Sequence, residues 1–264
     1  MSKKAETNCA MTIAGSDSGG GAGIQADMLS IAANGVYACT AIAAITAQNP
    51  DGVSAVLGVP PQTLRAQMET IESFYNPSAA KTGMLFSAEI VGCVADFFES
   101  RNTIRLVVDP VTIATSGTKL LSDDAADILQ RRLIPLAELV TPNLDEARLL
   151  LGNKNIENIE AAAGELAQKF GVNVLLKGGH LPGDNIVDIL ALKCGTICAF
   201  ESKRVKSVNT HGSGCTLSAA IAANLAKGLP LKDSVSKART YLLAGVKNPI
   251  KVGGQKFINH FPKP

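Results

Sequence analysis

The sequence predicts an α/β fold, a central mostly parallel sheet with helices on both faces. Three observations carry that prediction. Short apolar runs alternate with longer amphipathic segments through most of the 264 residues, the pattern of strands joined by crossover helices. Runs such as Leu106-Val107-Val108 and Val174-Leu175-Leu176 are apolar throughout, as strands covered on both faces must be. Polar and glycine-rich residues gather just after the runs, at Ser16–Gly23, Gln48-Asn49, Gly83-Met84, Asp109, Asn143 and Lys177. In open α/β sheets ligands bind beyond the carboxyl ends of the strands.

Met11–Ala14 reads as the first strand, followed by the glycine loop Gly19–Gly23 and a helix to about Asn34. Tyr37–Thr46 reads as a buried strand and Val53–Val59 as another. Pro60-Pro61 opens a helix through Phe74, with Leu64, Met68 and Ile71 on one apolar stripe. A short strand at Ala79–Thr82 precedes a helix through Phe98 that Ser87 can cap. The strand Leu106–Val108 ends at Asp109-Pro110, and Ser122 can cap a helix to about Leu133. Leu139-Val140 is a strand that stops at Thr141-Pro142. Helices are predicted at about 144–151 and 158–170, then the strand Val174–Leu176. Ile186–Leu192 and Thr196–Phe200 form a strand pair turned at Cys194-Gly195. Helices at about 213–227 and 231–247 follow. No repeat, low-complexity segment or long linker interrupts this pattern. One domain is predicted over 1–264, with 1–9 as a flexible N-terminal extension.

Composition excludes several classes. Apolar residues make up 46%, too many for intrinsic disorder. No apolar run reaches the ~20 residues of a membrane span. A net charge of +2 gives no reason to expect nucleic acid, and 4% aromatics argue against a base-stacking platform. The polar start has no secretory character. The six cysteines follow no framework spacing, so reduced thiols and a cytoplasmic location are expected. Cys194 and Cys198 have no second ligand pair nearby and read as packed small residues rather than a zinc site.

Four constellations could carry chemistry. The first is Gly15–Gly23 between a strand and a helix, where bare backbone can approach a ligand. Gly21-Ala22-Gly23-Ile24-Gln25-Ala26 fits a dinucleotide fingerprint, but that fold wants an acid at the end of strand two. None occurs from Tyr37 to Asn49. No P-loop motif is present either. The second is Asn209–Thr216, which opens a helix. Free N–H groups and the positive end of a helix dipole suit an anion there. Cys215 would lie in the first turn, where a thiol pKa is lowered. A capped helix with a buried cysteine accounts for the same text.

The third sets Asp109-Pro110 beside Thr141–Glu146. Asn143 and Glu146 share a face if Asn143 opens a helix, and such groups suit Mg²⁺ together with phosphates and waters. An N-cap with a solvated glutamate is the plainer account. The fourth is Lys177–His180. A lysine beside flexible backbone can reach a phosphate, although a lysine after a strand is commonly just solvated. His180, His211 and His260 show no metal spacing, so structural roles are expected for each.

Together, in this order, these segments resemble the ribokinase-like superfamily, in particular its hydroxymethylpyrimidine kinase/phosphomethylpyrimidine kinase branch. The matching text is Ala14–Asp27, Thr46–Asn49, Lys81–Met84, Asp109–Val111, Ala114–Gly117, Thr141–Asn143 with Glu146, Lys177–His180 and Thr210–Cys215. The resemblance spans roughly residues 10–250. It implies an ATP-dependent kinase of 4-amino-5-hydroxymethyl-2-methylpyrimidine and of its monophosphate in thiamine diphosphate biosynthesis, commonly a homodimer.

The resemblance also implies a set of site residues. Gln48 would hydrogen-bond the aminopyrimidine, since a carboxamide serves a donor and an acceptor at once. Gly15, Ala22, Asp27, Thr46, Met84 and Val111 would line the same pocket. Lys177, Thr210, Gly212, Ser213 and Gly214 would hold the ATP phosphates, and Asp109, Asn143 and Glu146 would organise Mg²⁺. Sugar-kinase relatives carry Asp where Cys215 stands. The N–H groups of Gly212–Cys215 would form the anion hole, the main catalytic element, with Cys215 as an auxiliary base.

Three departures from the family pattern stand out. Asp17-Ser18-Gly19 replaces Asp-Pro-Ser, Thr112 replaces a Met, and Val252–His260 only loosely echoes a Gly-His-Gly-Pro stretch. Pyridoxal/pyridoxine kinase is the nearest alternative, which Gln48 and Cys215 disfavour. A non-catalytic pyrimidine-binding domain is a second, opposed by the intact Lys177, Asp109 and Gly-Ser-Gly-Cys set.

Overall fold

The computed structural model describes residues 7–112, 121–179, 183–206 and 208–262. Ala114–Gly117 and His180 of the motifs above therefore lie outside the described residues.

β1 (Cys9–Gly15) is buried at all seven positions, and the reason is its place in the sheet. It pairs in parallel with β2 (Tyr37–Asn49) on one side and β4 (Ala79–Thr82) on the other. β5 (Arg105–Val108), β6 (Leu139–Val140) and β7 (Asn173–Leu176) continue the parallel run. The edges are antiparallel: β3 (Gly52–Gly58) folds back on β2, while β8 (Asn185–Ala191) and β9 (Ile197–Lys203) follow β7. The described strands thus make a nine-stranded sheet of order β3-β2-β1-β4-β5-β6-β7-β8-β9.

Two apolar layers sandwich this sheet. One face holds α2 (Pro61–Tyr75), α3 (Ala88–Phe98), α4 (Asp123–Ile128), α5 (Leu144–Leu150) and α6 (Ile159–Phe170) over a core that includes Leu64, Met68, Phe97, Leu133 and Leu166. The other holds α1 (Gly23–Ala33), α7 (Ser213–Ala226) and α8 (Leu231–Lys247). Every residue of α7 from Thr216 to Ala226 is buried. Its run of alanines lets it lie close against the sheet, so the start of α7 is held rigidly at the strand ends.

The predicted elements hold with small shifts in their ends. The helix expected to run to Leu133 is α-helical only to Ile128. It then widens into a π turn over Leu129–Leu133 and tightens into a 3-10 turn over Ile134–Leu136. Pro135 supplies no N–H for the regular ladder, which forces the change of pitch. The Ser122 side chain makes no capping hydrogen bond, whereas Ser87 Oγ accepts from the Ile90 N–H. One element was not expected: β10 (Ile250–Val252) and β11 (Gln255–Phe257) form an antiparallel pair. Among the described residues no helix is long and apolar enough to cross a membrane.

Candidate functional site

A cavity of about 1120 Å³ opens at the carboxyl ends of the parallel strands. Gln48, Ala22, Met84 and Val111 line one end, and Asp109, Asn143, Glu146, Lys177, Thr210 and Gly212–Cys215 line the middle. It then runs on toward β9 and α8, where Val205, Val208, Leu243 and Val246 give it an apolar end.

Three predicted pocket residues stand one layer behind this wall. Asp27 is fully buried. Its carboxylate accepts from Lys81 Nζ at 2.8 and 2.9 Å and from Thr12 Oγ1 at 2.6 Å, so its acceptors face β1 and β4 instead of the cavity. Thr46 Oγ1 donates to the Ser16 carbonyl at 2.8 Å and so ties β2 to the glycine loop. Gly15 makes room for Met84: a Cβ there would lie 2.4 Å from the Met84 methyl. These residues place the wall and do not form it. Thr112 also lies outside the cavity lining. It is buried, and its hydroxyl finds no hydrogen-bond partner among the described residues.

The polar middle is organised around one ion pair. Lys177 Nζ donates to Asp109 Oδ1 at 2.9 Å, and Thr141 Oγ1 donates to the same oxygen at 3.0 Å. Burial would lower the Lys177 ammonium, but Asp109 and Glu146 outweigh it and keep the charge. Burial would likewise raise the Asp109 carboxyl, yet Lys177 and Lys81 hold it below the ordinary range. The ammonium lies against the start of α7, because a Cβ on Gly214 would come within 3.2 Å of it. Gly178 fixes the turn after Lys177. Its N–H donates to Asp188 Oδ1 at 2.9 Å, and a side chain there would collide with the Val187 carbonyl at 1.9 Å.

The anion loop meets the first glycine loop directly. Gly212 has φ of +78°, and a Cβ on it would lie 1.8 Å from the Gly21 carbonyl oxygen. The C-terminal hairpin supports this loop from outside. Asn209 N–H donates to the Lys256 carbonyl at 2.8 Å, and Asn209 Nδ2 to Gln255 Oε1 at 3.2 Å.

Cys215 corrects an expectation. Its place in the first turn of α7 predicts a lowered thiol pKa. Burial instead pushes the thiol up to about 11, against the lowering effects of Lys81 and the Gly23 N–H. The end of the helix therefore does not by itself make this thiol a thiolate. The Cys215 side chain is half-buried on the cavity wall.

Asn143 caps α5 in a capping box: its Oδ1 accepts from Glu146 N–H at 2.9 Å, and Glu146 Oε2 accepts from Asn143 N–H at 2.7 Å. Burial pushes the Glu146 carboxyl up to about 7, with Asp109 adding to the rise and Lys177 opposing it. Among the described residues no cluster of three or more acidic, His or Cys side chains is placed to hold a metal by itself. Asp109 adds to the cost of ionising Glu146, and a carboxylate pair of this kind suits a divalent cation that brings waters and phosphate oxygens with it. Asp109 and Glu146 fit Mg²⁺ in that sense.

A carboxyl raised in the fold binds its proton more tightly when folded than unfolded. Glu146 therefore makes the ligand-free protein less stable as pH rises from its ordinary 4.5 through about 7. Glu146→Gln keeps the capping box and is expected to flatten this part of a Tm-against-pH curve over roughly pH 5 to 8. An unaltered slope counts against the assignment.

His211, expected to play a structural role only, lines the cavity. No local signal marks it, because its partner Asp17 lies 194 residues away in the chain. The apolar residues Val205, Val208, Leu243 and Val246 were also missed, since isolated valines and leucines read as ordinary packing.

Known proteins resemble the chain over nearly its whole length. Residues 17–260 match the family model described as phosphomethylpyrimidine kinase. The chain is 45% identical over 261 residues to a hydroxymethylpyrimidine/phosphomethylpyrimidine kinase of Rhizobium meliloti, covering 97% of each. Among solved structures it is similar to a phosphomethylpyrimidine kinase of Clostridium difficile, with a TM-score of 0.79 and 40% identity over 90% of this chain and 98% of that one. It is also similar to a Bacillus subtilis pyridoxal kinase solved as an ADP complex, with a TM-score of 0.89 and 33% identity over 97% and 98%.

Proposed function

From the premise that the chain belongs to the phosphomethylpyrimidine kinase family, we propose how its residues divide the work of the reaction. The protein transfers the γ-phosphoryl group of ATP to the hydroxymethyl oxygen of 4-amino-5-hydroxymethyl-2-methylpyrimidine, then phosphorylates the monophosphate to the diphosphate, in thiamine diphosphate biosynthesis. One observation supports the assignment of roles above the others. A single cavity joins Gln48 at one end to the Lys177–Asp109 pair and the N-terminus of α7 in the middle.

Gln48 reads the ring edge, while Ala22, Met84 and Val111 wall the ring. The hydroxymethyl group then points toward the start of α7. As the acceptor oxygen attacks, the bond from phosphorus to the ADP oxygen breaks, charge spreads over the transferring oxygens, and the hydroxyl proton leaves late, to a phosphate oxygen or water. The N–H groups of Gly212, Gly214 and Cys215 face that charge, while the Ser213 N–H, expected among them, is already given to the Thr210 carbonyl at 3.0 Å. Preorganised donors of this kind are commonly the largest catalytic contribution. Lys177 neutralises the phosphates, and Asp109 holds its ammonium in place. Thr210 and Ser213 add hydroxyls at the mouth. Mg²⁺ would supply charge neutralisation between the phosphates, and Asp109, Asn143 and Glu146 would hold it, directly or through water. The apolar end at Val205, Val208, Leu243 and Val246 would take the adenine.

Incubation with ATP, Mg²⁺ and the pyrimidine, with mass identification of mono- and diphosphate, tests the reading. Its overturning result is a higher kcat/KM for pyridoxine. A backbone match alone does not separate the two acceptors, since the pyridoxal kinase scaffold superposes as well. Gln48 favours the pyrimidine.

The partner expected besides the small molecules is a second copy of the chain. The β2–β3 edge exposes Leu57 at 66% and Ile45 at 51%. An apolar edge strand is a surface that proteins ordinarily cover. Light scattering is expected to give twice the chain mass, falling to one chain mass in Leu57→Asp. A monomeric wild type removes the dimer.

A further inference from the structure

His211 enters the cavity from the loop before α7, while Gln48 enters from the end of β2. His211 Nε2 lies 3.0 Å from Asp17 Oδ2 and 3.4 Å from Gln48 Nε2. All three residues are pinned by other bonds. Asp17 accepts the N–H groups of Gly19 and Ala22 at 2.9 and 2.8 Å. Gln48 N–H donates to Ser18 Oγ at 2.7 Å, and that hydroxyl donates back to the Gln48 carbonyl at 2.8 Å. His211 N–H donates to Asn209 Oδ1 at 2.9 Å. The imidazole packs on the first glycine loop, where a Cβ on Gly21 would come within 3.1 Å of the ring.

The chemistry of the three groups then settles who donates to whom. Burial would raise the Asp17 carboxyl, but the His211 bond and the two backbone N–H groups outweigh it and hold it below the ordinary range. An ionised carboxylate only accepts, so the proton on His211 Nε2 points to Asp17. That nitrogen then has no lone pair to offer. Two donors do not bond, so the network sets the carboxamide with its oxygen toward the His211 N–H. Its NH₂ then faces the Thr46 hydroxyl, whose own proton goes to the Ser16 carbonyl and which is free to accept.

We propose that His211, fixed by Asp17, is a positioning residue that turns the Gln48 carboxamide toward an aza-aromatic ring bearing an amino group beside a ring nitrogen. Held by the His211 N–H on its oxygen, the Gln48 amide donates its outward N–H to the ring nitrogen, and the remaining lone pair of its oxygen accepts from the exocyclic amine. His211 is thereby a specificity determinant, and it ties the pyrimidine end of the cavity to the loop that carries the anion hole. The inference deepens the role given to Gln48 above and rests on it.

The test compares kcat and KM of wild type, Gln48→Ala, His211→Ala and His211→Gln for two acceptors, the aminopyrimidine and its analogue lacking the 4-amino group. His211→Ala is expected to shrink the preference for the amino compound about tenfold. The change should fall mainly on the KM of that acceptor, with the KM for ATP altered by less than about twofold. His211→Gln, which returns an N–H to the same region, is expected to recover most of the preference. If His211→Ala keeps the wild-type preference while Gln48→Ala loses it, the inference falls and the Gln48 role stands. If Gln48→Ala itself keeps the preference, both fall together.

Discussion

Gly212→Ala is expected to lower kcat by about three orders of magnitude while the chain remains folded. The reason is geometric. The new methyl would lie 1.8 Å from the Gly21 carbonyl oxygen and would have to sit at a φ of +78°. Either the anion loop withdraws from the glycine loop or it changes its backbone angles. Both movements take the N–H groups of Gly212, Gly214 and Cys215 off the line of the transferring phosphoryl group. Removal of one such donor commonly costs about 10²–10³-fold in kcat, and here several move together. Gly21 has no side chain to withdraw, so no second substitution relieves the contact. The core beneath α7 is untouched, which confines the stability cost to about 1–2 kcal/mol for the left-handed backbone. Steady-state kinetics beside circular dichroism checks the expectation. A folded Gly212→Ala protein with near-wild-type kcat would remove the anion loop from the mechanism.

Much of this site was legible because strand ends announce themselves. Asp109, Asn143 and Lys177 each follow an apolar run closely, and a mostly parallel sheet must put such residues at one edge. The spacing of Asn143 and Glu146 likewise announced a helix start, which became a capping box. What failed was the direction of a side chain within a motif. Asp27 follows the glycine loop closely in sequence, yet it turns to Lys81, which lies 54 residues onward on β4. No local pattern carries a pairing of that span. The Cys215 thiol was misread because a helix end is visible in sequence and burial is not. The β10–β11 pair had a signal that went unused: Gly253-Gly254 between short apolar-containing segments is hairpin text.

Lys81→Met is expected to destabilise the protein by about 3–5 kcal/mol, a Tm lower by on the order of 10 °C. Lys81 and Asp27 have no exposed side-chain surface and meet at 2.8 Å. Burial opposes the ammonium, but the facing carboxylate outweighs it and keeps the lysine charged. Burial already pushes the Asp27 carboxyl up against the lowering effect of Lys81, so removing the lysine forces Asp27 to take up a proton and leaves it with only the Thr12 hydroxyl beside it. Replacing both partners removes that burden, so Lys81→Met with Asp27→Leu should recover most of the lost stability, less a contribution for the stranded Thr12 hydroxyl. Activity is expected to part company from stability at this point. The Lys81 ammonium also acts on Asp109 and Cys215, and Asp27 acts on Cys215 in the opposite sense, so the double variant withdraws an oriented ion pair from behind the anion hole. A double variant as stable as wild type but still low in kcat identifies the pair as electrostatic support for the site. Full recovery of kcat with the fold would make it a structural pair alone.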